Sequence, residues 1–70
     1  MEGFDKRLQA ILNSKKISQR KFSTMLGVEQ TTVCAYCNGR RMPSAEVVAR
    51  ISELLDVSTD YLLGRKETFN

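Results

Sequence analysis

One short pattern recurs through this chain: an apolar residue, then a residue at a helix-capping position, then a second apolar residue four places beyond the cap. It occurs as Ile17-Ser18 with Phe22, Val28-Glu29 with Val33, Pro43-Ser44 with Val48, and Val57-Ser58 with Leu62. This is the pattern of a capped helix start closed by a hydrophobic staple. Four such starts between residues 17 and 62 leave room only for short helices joined by short turns. Ahead of them, FDKRLQAILNSKK places Phe4, Leu8, Ile11 and Leu12 on one helical face. Gly27 ends the second helix by supplying a left-handed turn. The fourth, SAEVVARISELL, carries a stripe of Val47, Val48, Ile51, Leu54 and Leu55, and a short fifth, STDYLL, ends at Gly64. No segment alternates as a strand does. The expectation is an all-α domain of five helices over residues 1–70, with 65–70 a short tail.

Seventy residues make one small domain with a thin core, since a chain of this size buries only about 60% of its unfolded surface. With 41% apolar and 27% charged residues it reads as globular, not disordered. There is no histidine, so no nucleophile–base pair built on one, and no carboxylates converge in a recognisable spacing; an enzyme is not expected. No apolar run approaches the ~20 residues of a membrane span, and MEGFDKR lacks the apolar core of a signal peptide. A cytoplasmic protein with reduced cysteines is expected. Charge is split along the chain. Residues 1–43 hold eight basic against three acidic side chains, a net of +5, and residues 44–70 hold three against five, a net of −2. A basic face of this kind suits a polyanion such as DNA.

The second and third helices are joined only by the turn around Gly27, and the third closes on Asn38-Gly39. Two short helices so tightly joined form a helix-turn-helix. With Gln19 as the first motif position, small Ser23 falls at the fifth, where the helices approach, and Gly27 at the ninth. Phe22, Leu26, Val28, Val33 and Tyr36 fall at buried positions. In the opening SQ of helix two, the LGV turn, the closing NG and the ending LLDVSTDYLLG, residues 4–64 resemble the lambda/Cro-type phage repressor helix-turn-helix family.

That resemblance implies a major-groove reader of double-stranded DNA, probing base pairs with the first turns of helix three. Gln30, Thr31 and Ala35 stand where the family reads bases. Gln30 has an amide able to pair with adenine N6 and N7, and Cys34 shares the exposed face. Gln19 stands where a side chain touches phosphate, and Asn38, Arg40 and Arg41 where the loop after helix three meets the backbone. Lys21 joins this phosphate group, with Arg20 adding to the field; Arg50 reads as solvated. Glu29 takes a place usually held by Ser or Thr. Its carboxylate either caps helix three, the preferred reading, or accepts from cytosine N4.

Cys34 and Cys37 form a C-x-x-C, but two thiols without histidine cannot close a four-ligand zinc site. They lie toward the C-terminal half of helix three, the wrong end for a dipole-activated redox pair. No metal or cofactor is expected, with Cys37 in the core and Cys34 at the groove edge. Many relatives pair an arginine and an acid at the positions of Leu12 and Cys37; two apolar groups there should touch and preserve the fold. Ala35 replaces a long polar side chain of many relatives.

These readings converge on a sequence-specific transcriptional regulator, a repressor acting as a homodimer through helix five and the tail, where Tyr61, Leu63 and Phe69 offer apolar surface. For Tyr61, core packing is preferred. The competing readings are a protein-interaction module such as an antitoxin, with an additional protein partner, and the DNA-binding half of a longer regulator.

Overall fold

The computed structural model describes residues 3–65. Five helices follow one another: α1 (Phe4–Ser14), α2 (Gln19–Leu26), α3 (Gln30–Cys37), α4 (Ala45–Leu55) and α5 (Thr59–Leu62). Among the described residues none lies in a strand. Every helix sends at least one side chain to a shared centre, where Leu8, Ile11, Phe22, Val33, Ile51, Leu55 and Leu62 are at most 1% exposed. Burying each such side chain contributes about 1.5–3 kcal/mol, the main favourable term in a chain this short. Ser23, small as its position requires, is buried and donates its hydroxyl to the Arg20 carbonyl at 2.6 Å.

Three of the expected caps are made. Ser18 Oγ accepts from the Lys21 N–H at 3.0 Å, Ser44 Oγ from Val47 at 3.3 Å, and Ser58 Oγ from Asp60 at 3.1 Å. The helix ends are more uniform still. Lys16, Gly27, Gly39, Asp56 and Gly64 all adopt positive φ. After each, the next N–H donates to the carbonyl five residues back: Ile17 to Leu12, Val28 to Ser23, Arg40 to Ala35, Val57 to Ser52 and Arg65 to Asp60, at 2.7–3.1 Å. This long bond is the mark of a Schellman stop, and at α1, α4 and α5 the left-handed residue adds the motif's second bond, to the carbonyl three residues back. Glycine adopts the conformation freely, whereas at Lys16 and Asp56 it costs about 1–2 kcal/mol each. The residue after the turn sets where the chain goes. Ile17, Val28 and Val57 turn inward and precede the next cap at once, while Arg40 and Arg65 are exposed.

Three expectations change. The stretch FDKRLQAILNSKK is helical only to Ser14, because Lys16 is left-handed. Leu54 is 37% exposed instead of joining the α4 stripe. It lies about 100° around the helix from Leu55, at the edge of the face that Val48, Ile51 and Leu55 bury. Arg7, counted with the basic face, is only 2% exposed. Its guanidinium stacks over the Tyr61 ring at 4.7 Å, and Nη1 donates to the Tyr61 carbonyl at 3.2 Å. Tyr61 is a core residue, as preferred. Phe69 lies outside the described residues. α1 packs against α3 and α5, and α2 against α3 and α4, so α3 is backed by two helices.

Candidate nucleic-acid interface

α3 has two unlike faces. Val33, Tyr36 and Cys37 are buried, while Gln30, Thr31 and Cys34 are exposed and Ala35 is half-buried. The buried set sits one helical turn apart, as 3.6-residue periodicity requires, and leaves the polar first turn outward. Glu29 occupies the N-cap position: its carbonyl accepts from Thr32 at 3.0 Å and Val33 at 3.4 Å. Its side chain makes no capping hydrogen bond, so the preferred reading of Glu29 as a capping carboxylate is corrected. The carboxylate is exposed, and the first N–H groups of α3 lack a side-chain acceptor that Ser18, Ser44 and Ser58 supply elsewhere.

The other end of α3 is tightly knit. The Asn38 N–H donates to the Cys34 carbonyl at 3.0 Å, and Asn38 Oδ1 accepts from the Arg40 N–H at 3.1 Å. Asn38 Nδ2 lies 3.7 Å from Cys34 Sγ, within reach of a weak hydrogen bond. Gly39 is favoured here for two reasons. Its φ is +80°, and a Cβ in its place would stand 3.1 Å from Asp5 Oδ2. Asn38, Arg40 and Arg41 are all exposed, as is Lys21 at the start of α2, while Gln19 is half-buried.

Exposed side chains thus stand at the first turn of α3, along the Asn38–Arg41 loop beyond it and at the start of α2. Three participants escaped the sequence reading. Gln9 on α1 donates its side-chain amide to the Cys37 carbonyl. Asp5 sets a carboxylate beside Gly39 and, with Arg41 and Met42, lines a small cavity. Arg7, removed to the core, takes one cation off the surface. Only Arg7 had a signal to find, since it lies three residues after Phe4 and four before Ile11, on their face.

Residues 8–62 match the helix-turn-helix family that carries the label HTH_3. The chain is a lambda/Cro-type helix-turn-helix protein. It is similar to three Bacillus subtilis (strain 168) proteins. The HTH-type transcriptional regulator YqaE is 37% identical over 60 residues, covering 86% of this chain and 52% of the relative. The HTH-type transcriptional regulator AnsR is 34% identical over 61 residues, 87% of this chain and 53% of the relative. The SPbeta prophage-derived regulator YonR is 33% identical over 60 residues, 86% of this chain and 56% of the relative. The chain therefore spans about half the length of the curated relatives it matches. Its fold is also that of the P22 c2 repressor, whose crystal structure is a complex with synthetic operator 9T. The TM-score is 0.86 at 26% identity, over 94% of this chain and 100% of that one.

Within this helix-turn-helix protein, Leu12 and Cys37 are each 3% exposed. With Gln9, Asn13 and Gln19 they line one cavity of about 170 Å3 between α1, the start of α2 and the end of α3. Both thiols are free. Burial, the neighbouring Cys34 and then Asp5 push the Cys37 thiol up, which favours its protonated form.

Proposed function

We propose that this chain binds double-stranded DNA sequence-specifically and regulates transcription, as a repressor, in the cytoplasm. The observation that carries this reading is the division of α3: one face locked into the core, the other leaving Gln30, Thr31 and Cys34 exposed, with Arg40 and Arg41 exposed in the loop that follows. An element so held enters the major groove as a rigid reader, with its first turn toward the base edges. Gln30 pairs with adenine, and Thr31, Cys34 and Ala35 meet neighbouring bases, the last two through apolar contact such as a thymine methyl. Glu29 flanks them with an exposed carboxylate that opposes the approach of phosphate unless a cytosine N4 donates to it. Gln19, Lys21, Asn38, Arg40 and Arg41 contact phosphate, and each cation that neutralises one steepens the log–log salt dependence by about 0.9.

The protein acts as a homodimer on a palindrome, its two α3 helices about 34 Å apart, because one short helix reads too few base pairs for operator specificity. Support comes from an apolar groove of about 330 Å3 between the α3–α4 loop, α4 and α5. It is lined by Met42, Pro43, Ala45, Val48 and Leu63, with Met42 57% and Leu63 41% exposed. A second reading, in which this domain is one part of a larger regulator that dimerises through other segments, is favoured by the greater length of the relatives.

Selection from a randomised duplex library at two salt concentrations tests both. A two-fold symmetric consensus with a specificity ratio of about a thousand or more is expected. A single half-site, bound by a monomer in sedimentation, would favour the second reading. Sequence-blind, steeply salt-dependent binding would refute specific recognition and turn attention to a protein partner.

A further inference from the structure

The two ends of α3 are held differently. At its start no side chain caps the helix. At its end the Ala35 carbonyl accepts from the Arg40 N–H at 3.0 Å and the Arg41 N–H at 3.3 Å, and Asn38 Oδ1 accepts from Arg40. These bonds are local and travel with the helix. The exception is Gln9, whose amide crosses from α1 to the carbonyl of Cys37, the last residue of α3. That carbonyl belongs to the last turn, whose acceptors have no partner within the helix.

We propose that Gln9 is a positioning residue for DNA recognition. It pins the C-terminal end of α3 to α1 and so sets the register between the base-reading first turn and the Arg40–Arg41 loop. The inference rests on the DNA-binding reading above. At eight residues α3 is about 12 Å long and is hinged at its other end on the Gly27 turn. Recognition groups must be held within about 0.5 Å of their working geometry, and a tilt of a few degrees about that hinge exceeds this at the far end. Base and phosphate contacts then compete instead of forming together. Random DNA, held by charge alone, is indifferent to that register.

The test measures dissociation constants for the selected consensus duplex and for a random duplex, with melting temperatures, in the full chain and its variants. Gln9→Met keeps the length and removes the donor. Its consensus-to-random ratio is expected to fall about tenfold, or about 1.4 kcal/mol, with random binding unchanged. Gln9→Glu, of the same size, sets a carboxylate against the carbonyl and loses at least as much. Gln9→Lys restores a donor at a helix end that favours cations and recovers most of the ratio. Its added charge acts on both duplexes alike and cancels in the ratio. If the ratio holds in Gln9→Met and Gln9→Glu, or both affinities fall in step with melting temperature, Gln9 only packs and the inference is overturned. If the unaltered protein selects no consensus, the DNA-binding reading fails first, and this inference with it.

Discussion

α2 and α3 each run for eight residues and each stop on a left-handed glycine, but they begin and leave differently. α2 starts on Ser18, whose hydroxyl caps it, and leaves through Val28, which turns back toward the core. α3 starts on Glu29, which caps nothing, and leaves through Arg40, which faces solvent. The same stop device therefore serves two purposes, chosen by the residue that follows. α2 is built to hold, and α3 to be held while keeping one face and its first turn exposed. On the DNA-binding reading proposed above, the contrast teaches a division in which base reading falls to α3: α2 keeps its favourable local interactions, and α3 gives up a cap at the surface where a polyanion would approach.

The largest test of that division sets a core residue of α2 against a surface residue of α3. Phe22→Ala should cost about 3–5 kcal/mol. That is a large share of the about 3.5–10 kcal/mol available to a chain of this length. Gln30→Ala should leave unfolding within about 0.5 kcal/mol of the parent. Yet it should lose about 1–3 kcal/mol of discrimination at a single base pair. Thermal melts and binding to single-site operator variants check both. Comparable losses of stability from the two changes would break the comparison.

A smaller pair sharpens it. Ser18→Ala should cost about 1 kcal/mol, lowering the melting temperature by about 4–8 °C. Glu29→Ser, by adding the missing cap, should raise stability by up to about 1 kcal/mol and strengthen binding to all duplexes alike. A changed preference at one base position would instead make Glu29 a reader of cytosine.

The smallest effect separates the two faces of α3 itself. Burial raises the Cys37 thiol, so the folded state keeps its proton at pH values where the unfolded chain has lost it. The contribution is fully present below the unfolded value of about 8.5 and is lost as pH rises toward the folded one. Urea unfolding at pH 7 and pH 9.5 should show this loss in the parent and not in Cys37→Ala, once the loss common to both is subtracted.

Much of this arrangement is legible along the chain. Ser18, Ser44 and Ser58 cap where their spacing from an apolar pair predicts, and Gly27 and Gly39 turn the chain where glycine has no Cβ penalty. Lys16 adopts the same left-handed turn with nothing in its side chain to announce it, and Asp56 with only the mild tolerance of aspartate for that conformation. The exposed face of α3 was legible from period alone, but the bare carboxylate of Glu29 was not, since capping depends on a rotamer and not on residue type.

The sequence by itself determined the five helices, their order, their tight joints and the polar first turn of α3, because starts, stops and periodicity act within a turn or so of chain. Only the tertiary structure decided which partners the polar side chains on α1 meet. Arg7 meets the Tyr61 carbonyl 54 positions away, and Gln9 meets that of Cys37 at a distance of 28. A buried or half-buried polar group is tolerated only where a partner satisfies it. Those partners are backbone carbonyls, which every residue type carries, so only the packing of α1 against α3 and α5 could single them out.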